Sequence, residues 1–223
     1  MIDFDYLLPK TKLVMIELSE SEIMEDFTFV GGSALSCYLH HRLSEDLDFF
    51  SWDNSVDAER LLGIFNREGL HIINRSAQQI DLLYKGVKIT FFSSKWQELA
   101  KSRISLLGHI HIANLDLLAA MKVNTLFLRA KFRDYYDLYY IVDELYGIDQ
   151  LYDLAVGLLP GLTKRLFQIA FTFTDDIIDD SISHLSPAKA ISKKEIEGFF
   201  LKRIKEWNKG SQLVRRSRTN CPS

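Results

Sequence analysis

With 223 residues, 47% hydrophobic and 26% charged, the chain can build one large domain or two small ones around a proper core. A net charge of −3 gives no global basic field that would advertise a nucleic-acid partner, and the two cysteines, Cys37 and Cys221, cannot form a disulfide framework. No run is long and apolar enough to span a membrane, and the start MIDFDYLLPK carries acids where a signal peptide needs a basic segment, so a cytoplasmic protein with no membrane partner is expected.

In chain order, an amphipathic helix is expected over Thr11 to Asp26, then a short β-prone run from Phe27 to Val30 that ends at Gly31-Gly32. A helix follows over Ser33 to His41 and a strand over Leu47 to Phe50. Ser55 is placed as the N-cap of a helix through Arg67, closed by Gly69. The period then changes to two. His71 to Asn74, Gln79 to Tyr84 and Val87 to Phe92 read as strands, the last two joined at Lys85-Gly86. Leu99 to Ile104 is ambiguous, and His109 to Ile112 reads as one more short strand. Beyond that, helices are expected from an Asn114 cap onward, over Asp134 to Tyr146, over Gln150 to Ile178 with a break at Pro160-Gly161, and over Lys193 to Trp207. The polar end with Arg215, Arg216 and Arg218 reads as a mobile basic tail. The resulting division is 1–94 as an α/β core, 95–209 as a mainly helical part, and 210–223 as tail. A composite single domain remains the alternative.

Three constellations can carry chemistry. In the first, the amides of Gly31, Gly32 and Ser33 can point at an anion, with the Ser33 hydroxyl as a further donor. The same residues also make an ordinary strand-to-helix turn with Ser33 as N-cap. In the second, Asp46 and Asp48 lie two apart and so share one strand face, with Ser44 on the same side if the strand starts early. Like charges that close repel unless a cation sits between them, and oxygen ligands of this kind suit Mg²⁺; the alternative is a pair of exposed acids at a strand end. The third lies in KVNTLFLRAKFRDYYDLYYI. Lys122 and Arg129 can share a helix face, and Lys122 either snorkels to solvent or meets an anion. Arg133, Asp134 and Asp137 form either an intrahelical ion-pair ladder or part of a site. His109 and His111 alternate on a strand, but nothing nearby completes a zinc set.

The block GGSALSCYLHHRLSEDLDFFS, with its Arg42-x-Ser44-x-Asp46-x-Asp48 core, followed by LDLLAAMKVNTLFLRAKFRDYYDLYYI, resembles the AbiEii/AbiGii-type toxin nucleotidyltransferases, a branch of the superfamily that includes DNA polymerase beta. The resemblance implies an α+β fold: a mixed nucleotidyltransferase sheet with flanking helices, then a helical C-terminal part that completes an active-site cleft. It implies an Mg²⁺-dependent transfer of a nucleoside monophosphate from a nucleoside triphosphate to an acceptor hydroxyl. The implied acceptor is RNA or tRNA, and the setting a toxin–antitoxin or phage-defence system with a cognate antitoxin. By the same resemblance Asp46 and Asp48 bind Mg²⁺, and Gly31, Gly32 and Ser33 hold the triphosphate. Ser44 sits beside the metal carboxylates, Lys122 contacts phosphates, Asp137 completes the catalytic set, and Arg129 and Arg133 assist. One position departs from the pattern. Thr90 stands where a third sheet carboxylate is expected, Asp81 lies on the preceding strand, and Asp137 is a candidate substitute. A small-molecule or protein acceptor, or a nucleotide-binding module without catalysis, is the alternative reading.

Overall fold

In the strand Leu47–Ser51, Leu47 and Phe49 are fully buried while Asp48 and Phe50 are half-buried. This alternation defines the two faces of the sheet built around it. The computed structural model describes residues 2–129, 131–175, 177 and 181–219, with 211–219 as backbone only. The chain divides into two units: Met1–Leu118 with Ser183–Ala188, and Ala119–Ile182 with Lys189–Ser223.

The first unit holds a seven-stranded mixed sheet. Its strands are β1 (Thr28–Val30), β2 (Leu47–Ser51), β3 (Leu70–Arg75), β4 (Gln79–Tyr84), β5 (Val87–Ser93), β6 (Arg103–Leu107) and β7 (Ile110–Ala113), in the order β3-β4-β5-β2-β1-β7-β6. The β2–β5 and β1–β7 pairs are parallel and the others antiparallel. Register puts Phe29, Phe49 and Phe91 side by side on one face. Their rings stand 5.5 Å (Phe29–Phe49) and 5.3 Å (Phe49–Phe91) apart, and Phe27 meets Phe91 edge-on at 5.1 Å. The other face of the same strands carries Asp48, Thr90 and Asp81 in one row.

The helices α1 (Pro9–Leu18), α2 (Gly31–Leu39), α3 (Ala58–Leu62) and α4 (Glu98–Lys101) belong to this unit. The helix expected over Thr11 to Asp26 stops at Leu18 and resumes only as a 3₁₀ turn, Glu22–Asp26. The cause is tertiary. The Ser19 carbonyl accepts the amide of His109, 2.9 Å away, and Gly108 (φ +52°) lies so close to it that a Cβ there would overlap the carbonyl. Likewise Asp57, not Ser55, caps the helix that follows, and that helix ends at Leu62. The divide expected near residue 94 falls inside the first unit, because β6 and β7 extend the sheet beyond β1.

The second unit is helical: most of α5 (Leu115–Leu128), then α6 (Phe132–Tyr140), α7 (Ile148–Leu158), α8 (Lys164–Thr172) and α9 (Lys193–Thr219). Asn114 caps α5 through its side-chain oxygen, which accepts the Leu117 amide at 2.9 Å. Its aromatic core stacks Phe167 on Phe171 (4.4 Å between centroids), and Phe200 meets Phe171 edge-on at 4.9 Å. Beyond Tyr140 the expected helix widens into a π-helical turn, Ile141–Leu145. The tail expected from residue 210 is helical backbone as far as Thr219; a single glycine costs a helix only about 1 kcal/mol, too little to end it. Residues 220–223 lie outside the described residues. Among the described residues no helix is long and apolar enough to cross a membrane.

Phe49 is fully buried at the centre of the aromatic row. Phe49→Ala should therefore cost about 3–5 kcal/mol in urea unfolding. A loss below about 1 kcal/mol would mean that the row does not organise the sheet.

Candidate active site

The approach to Asp46 is a loop, residues 40–46, pinned by segments distant in sequence. On one side the Ser44 amide donates to the Tyr6 carbonyl (2.9 Å), the Leu8 amide donates to the Ser44 carbonyl (2.9 Å), and Thr11 Oγ1 donates to the Glu45 carbonyl (2.8 Å). On the other side the Leu43 amide donates to the Leu185 carbonyl (2.7 Å) and the Ala188 amide to the His41 carbonyl (2.8 Å). Inside the loop, buried Arg42 donates to the Leu43 carbonyl at 3.0 Å and to Ser44 Oγ at 3.3 Å. Ser44 Oγ shares a 2.8 Å hydrogen bond with Ser33 Oγ, and Ser33 Oγ is also bonded to the Asp46 carbonyl.

Ser33 therefore has a different posture from the expected N-cap. The helix already begins at Gly31, Val30 is the N-cap, and the Ser33 side chain is buried against the Ser44–Asp46 backbone. Ser33 and Ser44 hold Asp46 in place. The groups at this turn that could face an anion are the first amides of α2, at Gly31 and Gly32, which have no partner within the helix.

Gly31 has φ +80°, and an added Cβ would stand 3.2 Å from Asp48 Cβ and overlap Asp48 Oδ2. A side chain at this position is thus excluded twice, by backbone conformation and by space. Asp46 and Asp48 are both half-buried, two apart, and Asp48 sits directly under the start of α2. Among the described residues no group of three or more His, Cys, Asp or Glu side chains is arranged to hold a metal ion. A carboxylate pair beside a side-chain-free turn fits Mg²⁺ nonetheless, because that ion takes one or two carboxylates and fills its shell with water and substrate phosphates. His109 Nδ1 lies 2.7 Å from Glu25 Oε1, burial lowers the pKa of His111, and burial pushes the Cys37 thiol up to about 12; none of the three is set up as a ligand or nucleophile here.

In the second unit Lys122 meets an anion, indeed two. Its ammonium lies 2.7 Å from Asp134 Oδ1 and 2.6 Å from Asp137 Oδ2, and all three side chains are buried. Arg129 lies one residue beyond the end of α5, and it converges with Lys122 on Asp134: Arg129 Nε is 3.0 Å from its Oδ2. Asp134 and Asp137 thus take part in a bridge from α5 to α6, and Arg133 lies half-buried on α6. A phosphate contact by Lys122 would have to compete with both carboxylates. Burial pushes the Asp134 carboxyl up, but Lys122 and Arg129 outweigh it and leave the pKa below its ordinary value of 3.8.

Residues 13–106 match the family described as "Nucleotidyl transferase AbiEii toxin, Type IV TA system". Over those residues the chain is similar to the AbiEii-type nucleotidyltransferases. That match contains Gly31, Gly32, Asp46 and Asp48, and it assigns the domain to an enzyme class. The chain is 24% identical to an uncharacterized protein of Aquifex aeolicus (strain VF5) over 190 residues, 83% of this chain and 89% of the other. It is similar in fold to MenT4, a nucleotidyltransferase toxin of Mycobacterium tuberculosis H37Rv, at TM-score 0.53 and 16% identity over 88% of this chain and 84% of that one. JHP933 of Helicobacter pylori gives TM-score 0.50 and 15% identity over 98% and 100%. At these identities the structural likenesses establish the mixed-sheet nucleotidyltransferase fold, which is the α+β class expected from the sequence.

Removing the Lys122 charge should strand two buried carboxylates. Lys122→Met is expected to cost about 3–5 kcal/mol in urea unfolding at neutral pH. The pH dependence has a fixed sign. A carboxyl whose folded pKa is depressed stabilises above its unfolded value, near 3.8 here, and loses that contribution as pH falls through the lower folded value. Asp134→Asn should therefore flatten the acid limb of the stability curve below pH 3.8; an unchanged acid limb would contradict the bridge.

Proposed function

We propose that this chain moves a nucleoside monophosphate from a nucleoside triphosphate to a hydroxyl of RNA, with tRNA as the first candidate acceptor, as the toxin of a toxin–antitoxin pair acting in the cytoplasm. The observation that carries the reading is the seating of the Asp48 carboxylate against Gly31 at the start of α2. A helix start that offers amides to phosphate and carboxylates that suit a divalent cation are the two halves of a triphosphate site, and here Asp48, two residues from Asp46, lies against that helix start. The AbiEii match over residues 13–106 and the fold likeness to a nucleotidyltransferase toxin support the toxin role and, with it, a cognate antitoxin.

The chain's own residues then divide the work. Asp46 and Asp48 would hold Mg²⁺, which when bound neutralises triphosphate charge and aligns the leaving group. The Gly31 and Gly32 amides orient the phosphates, and the absence of a side chain at Gly31 lets them approach Asp48 closely. The Arg42–Ser44–Ser33 hydrogen bonds fix the Asp46 backbone, so that the carboxylate pair is organised before substrate arrives. Such preorganised positioning is the main source of rate in phosphoryl-type transfers. Lys122 and Asp137 form a buried ion pair within the second unit, so neither is given a separate phosphate or acid role here.

The full chain, incubated with each α-labelled nucleoside triphosphate, Mg²⁺ and total tRNA, should label the RNA. The label should vanish with EDTA and in Asp46→Ala. Transfer that survives Asp46→Ala, or no transfer from any of the triphosphates, would refute the reading; label arriving on added protein instead would replace RNA as the acceptor.

A further inference from the structure

The sheet face that carries Asp48 continues into a row that the preceding chemistry leaves unused. Register places Thr90 beside Asp48 on the parallel strand β5, and Asp81 beside Thr90 on the antiparallel strand β4. Paired residues on neighbouring strands point to the same face about 4.8 Å apart, so Thr90 lies one strand from Asp48 and Asp81 lies two. Thr90 Oγ1 donates to Asp81 Oδ1 at 3.0 Å. Asp81 is buried, at 9% exposure, and its remaining partners are amides: Gln79 Nε2 at 3.0 and 2.9 Å from its two oxygens, and Asn74 Nδ2 at 3.4 Å from Oδ2. Among the described residues all of its hydrogen-bond partners are uncharged.

A carboxylate sunk into a sheet among neutral donors is a costly choice if its only task is packing, since an apolar residue would serve the strand better. What this one does have is a defined line of contact to the candidate site, through a half-buried hydroxyl that stands next to Asp48. Position 90 is where the resemblance leads one to expect a third sheet carboxylate, and here it is a threonine paired with Asp48. A threonine there keeps a proton-transferring oxygen at the site and moves the charge one strand outward.

We propose that Thr90 and Asp81 form a proton relay that takes the proton of the acceptor hydroxyl. The proposal rests on the nucleotidyl-transfer reading above. As the acceptor oxygen forms its bond to the α-phosphorus, the bond from that phosphorus to the bridging oxygen breaks, and its electron pair leaves with pyrophosphate. The acceptor proton passes to Thr90 Oγ1, while the proton that Thr90 already donates crosses to Asp81 Oδ1. Threonine is regenerated, Asp81 ends as the neutral acid, and it returns its proton to solvent after the products leave. Thr90 is the group that meets the acceptor, and Asp81 acts through it.

The test compares wild type, Asp81→Asn, Thr90→Val and Thr90→Ser in transfer from α-labelled triphosphate to total tRNA with Mg²⁺, reading kcat, KM for the triphosphate and the thermal midpoint. General-base catalysis contributes about 10²–10⁴-fold. Asp81→Asn and Thr90→Val should therefore lower kcat by about 100-fold or more while KM stays within about threefold, and Thr90→Ser, which keeps the hydroxyl, should retain most of the rate. The relay is overturned if the valine variant keeps kcat within about threefold, or if KM rises in step with the loss of kcat, which would mark a role in holding the triphosphate instead. Should Asp81→Asn melt early, the near-isosteric Thr90→Val decides alone. A wild type that labels nothing removes the transfer reading and the relay with it, whereas an active wild type with unimpaired variants removes the relay only.

Discussion

The candidate site depends on one close approach, the backbone of Gly31 against the carboxylate of Asp48. Strand β1 delivers the chain to Gly31 with φ +80°, and the pairing of Val30 with Asp48 brings the carboxylate under the helix start. No L-amino acid with a side chain fits there without displacing Asp48, so a feature that looks like a permissive turn is a steric requirement of the site. The flanking structure serves this contact. The phenylalanine row on the opposite face fixes the register of β1, β2 and β5, and that register decides which groups stand beside Asp48.

The loop before Asp46 shows the same division of labour at longer range. It is held by residues 6–11 on one side and 185–188 on the other, so the carboxylate's placement depends on both the beginning and the last third of the chain. Arg42, Ser44 and Ser33 are buried links in that anchorage. In the first unit Asp48 lies against the start of α2. In the second, Lys122 and Arg129 compensate Asp134 and Asp137, which makes that cluster a structural ion-pair network in its resting arrangement.

Local signals were legible in the sequence wherever local chemistry decides the outcome. The alternation Leu47, Asp48, Phe49 predicts the strand that the structure shows, with Leu47 and Phe49 buried and Asp48 on the other face; Asp46 falls in the loop before it. The Lys85-Gly86 hairpin joins the strands expected of it, and Asn114 caps the helix it precedes. The errors arise where distant contacts override propensity. Thr11–Asp26 carries a roughly helical stripe that Glu20 interrupts, and the helix ends at Leu18, where the Ser19 carbonyl is claimed by His109. Ser33 has the composition of an N-cap, but helix α2 starts two residues earlier and turns its hydroxyl inward. Lys122 was legible as a cation in an apolar helix that either snorkels or meets an anion; that both Asp134 and Asp137 meet it depends on how α6 packs on α5, which spacing along one helix does not encode. Asp81 was visible as an acid on a strand, while its row with Thr90 and Asp48 is a property of sheet register alone.

The central claim is that the Gly31–Asp48 contact makes a site for a metal-bound triphosphate. Calorimetric titration of a non-hydrolysable nucleoside triphosphate with Mg²⁺ into wild type and Gly31→Ala tests it directly, with circular dichroism confirming that both are folded. The account predicts measurable binding to the wild type, dependent on Mg²⁺, and affinity at least about tenfold weaker in the folded variant, a difference of about 1.4 kcal/mol. Equal affinity in the two proteins would contradict it.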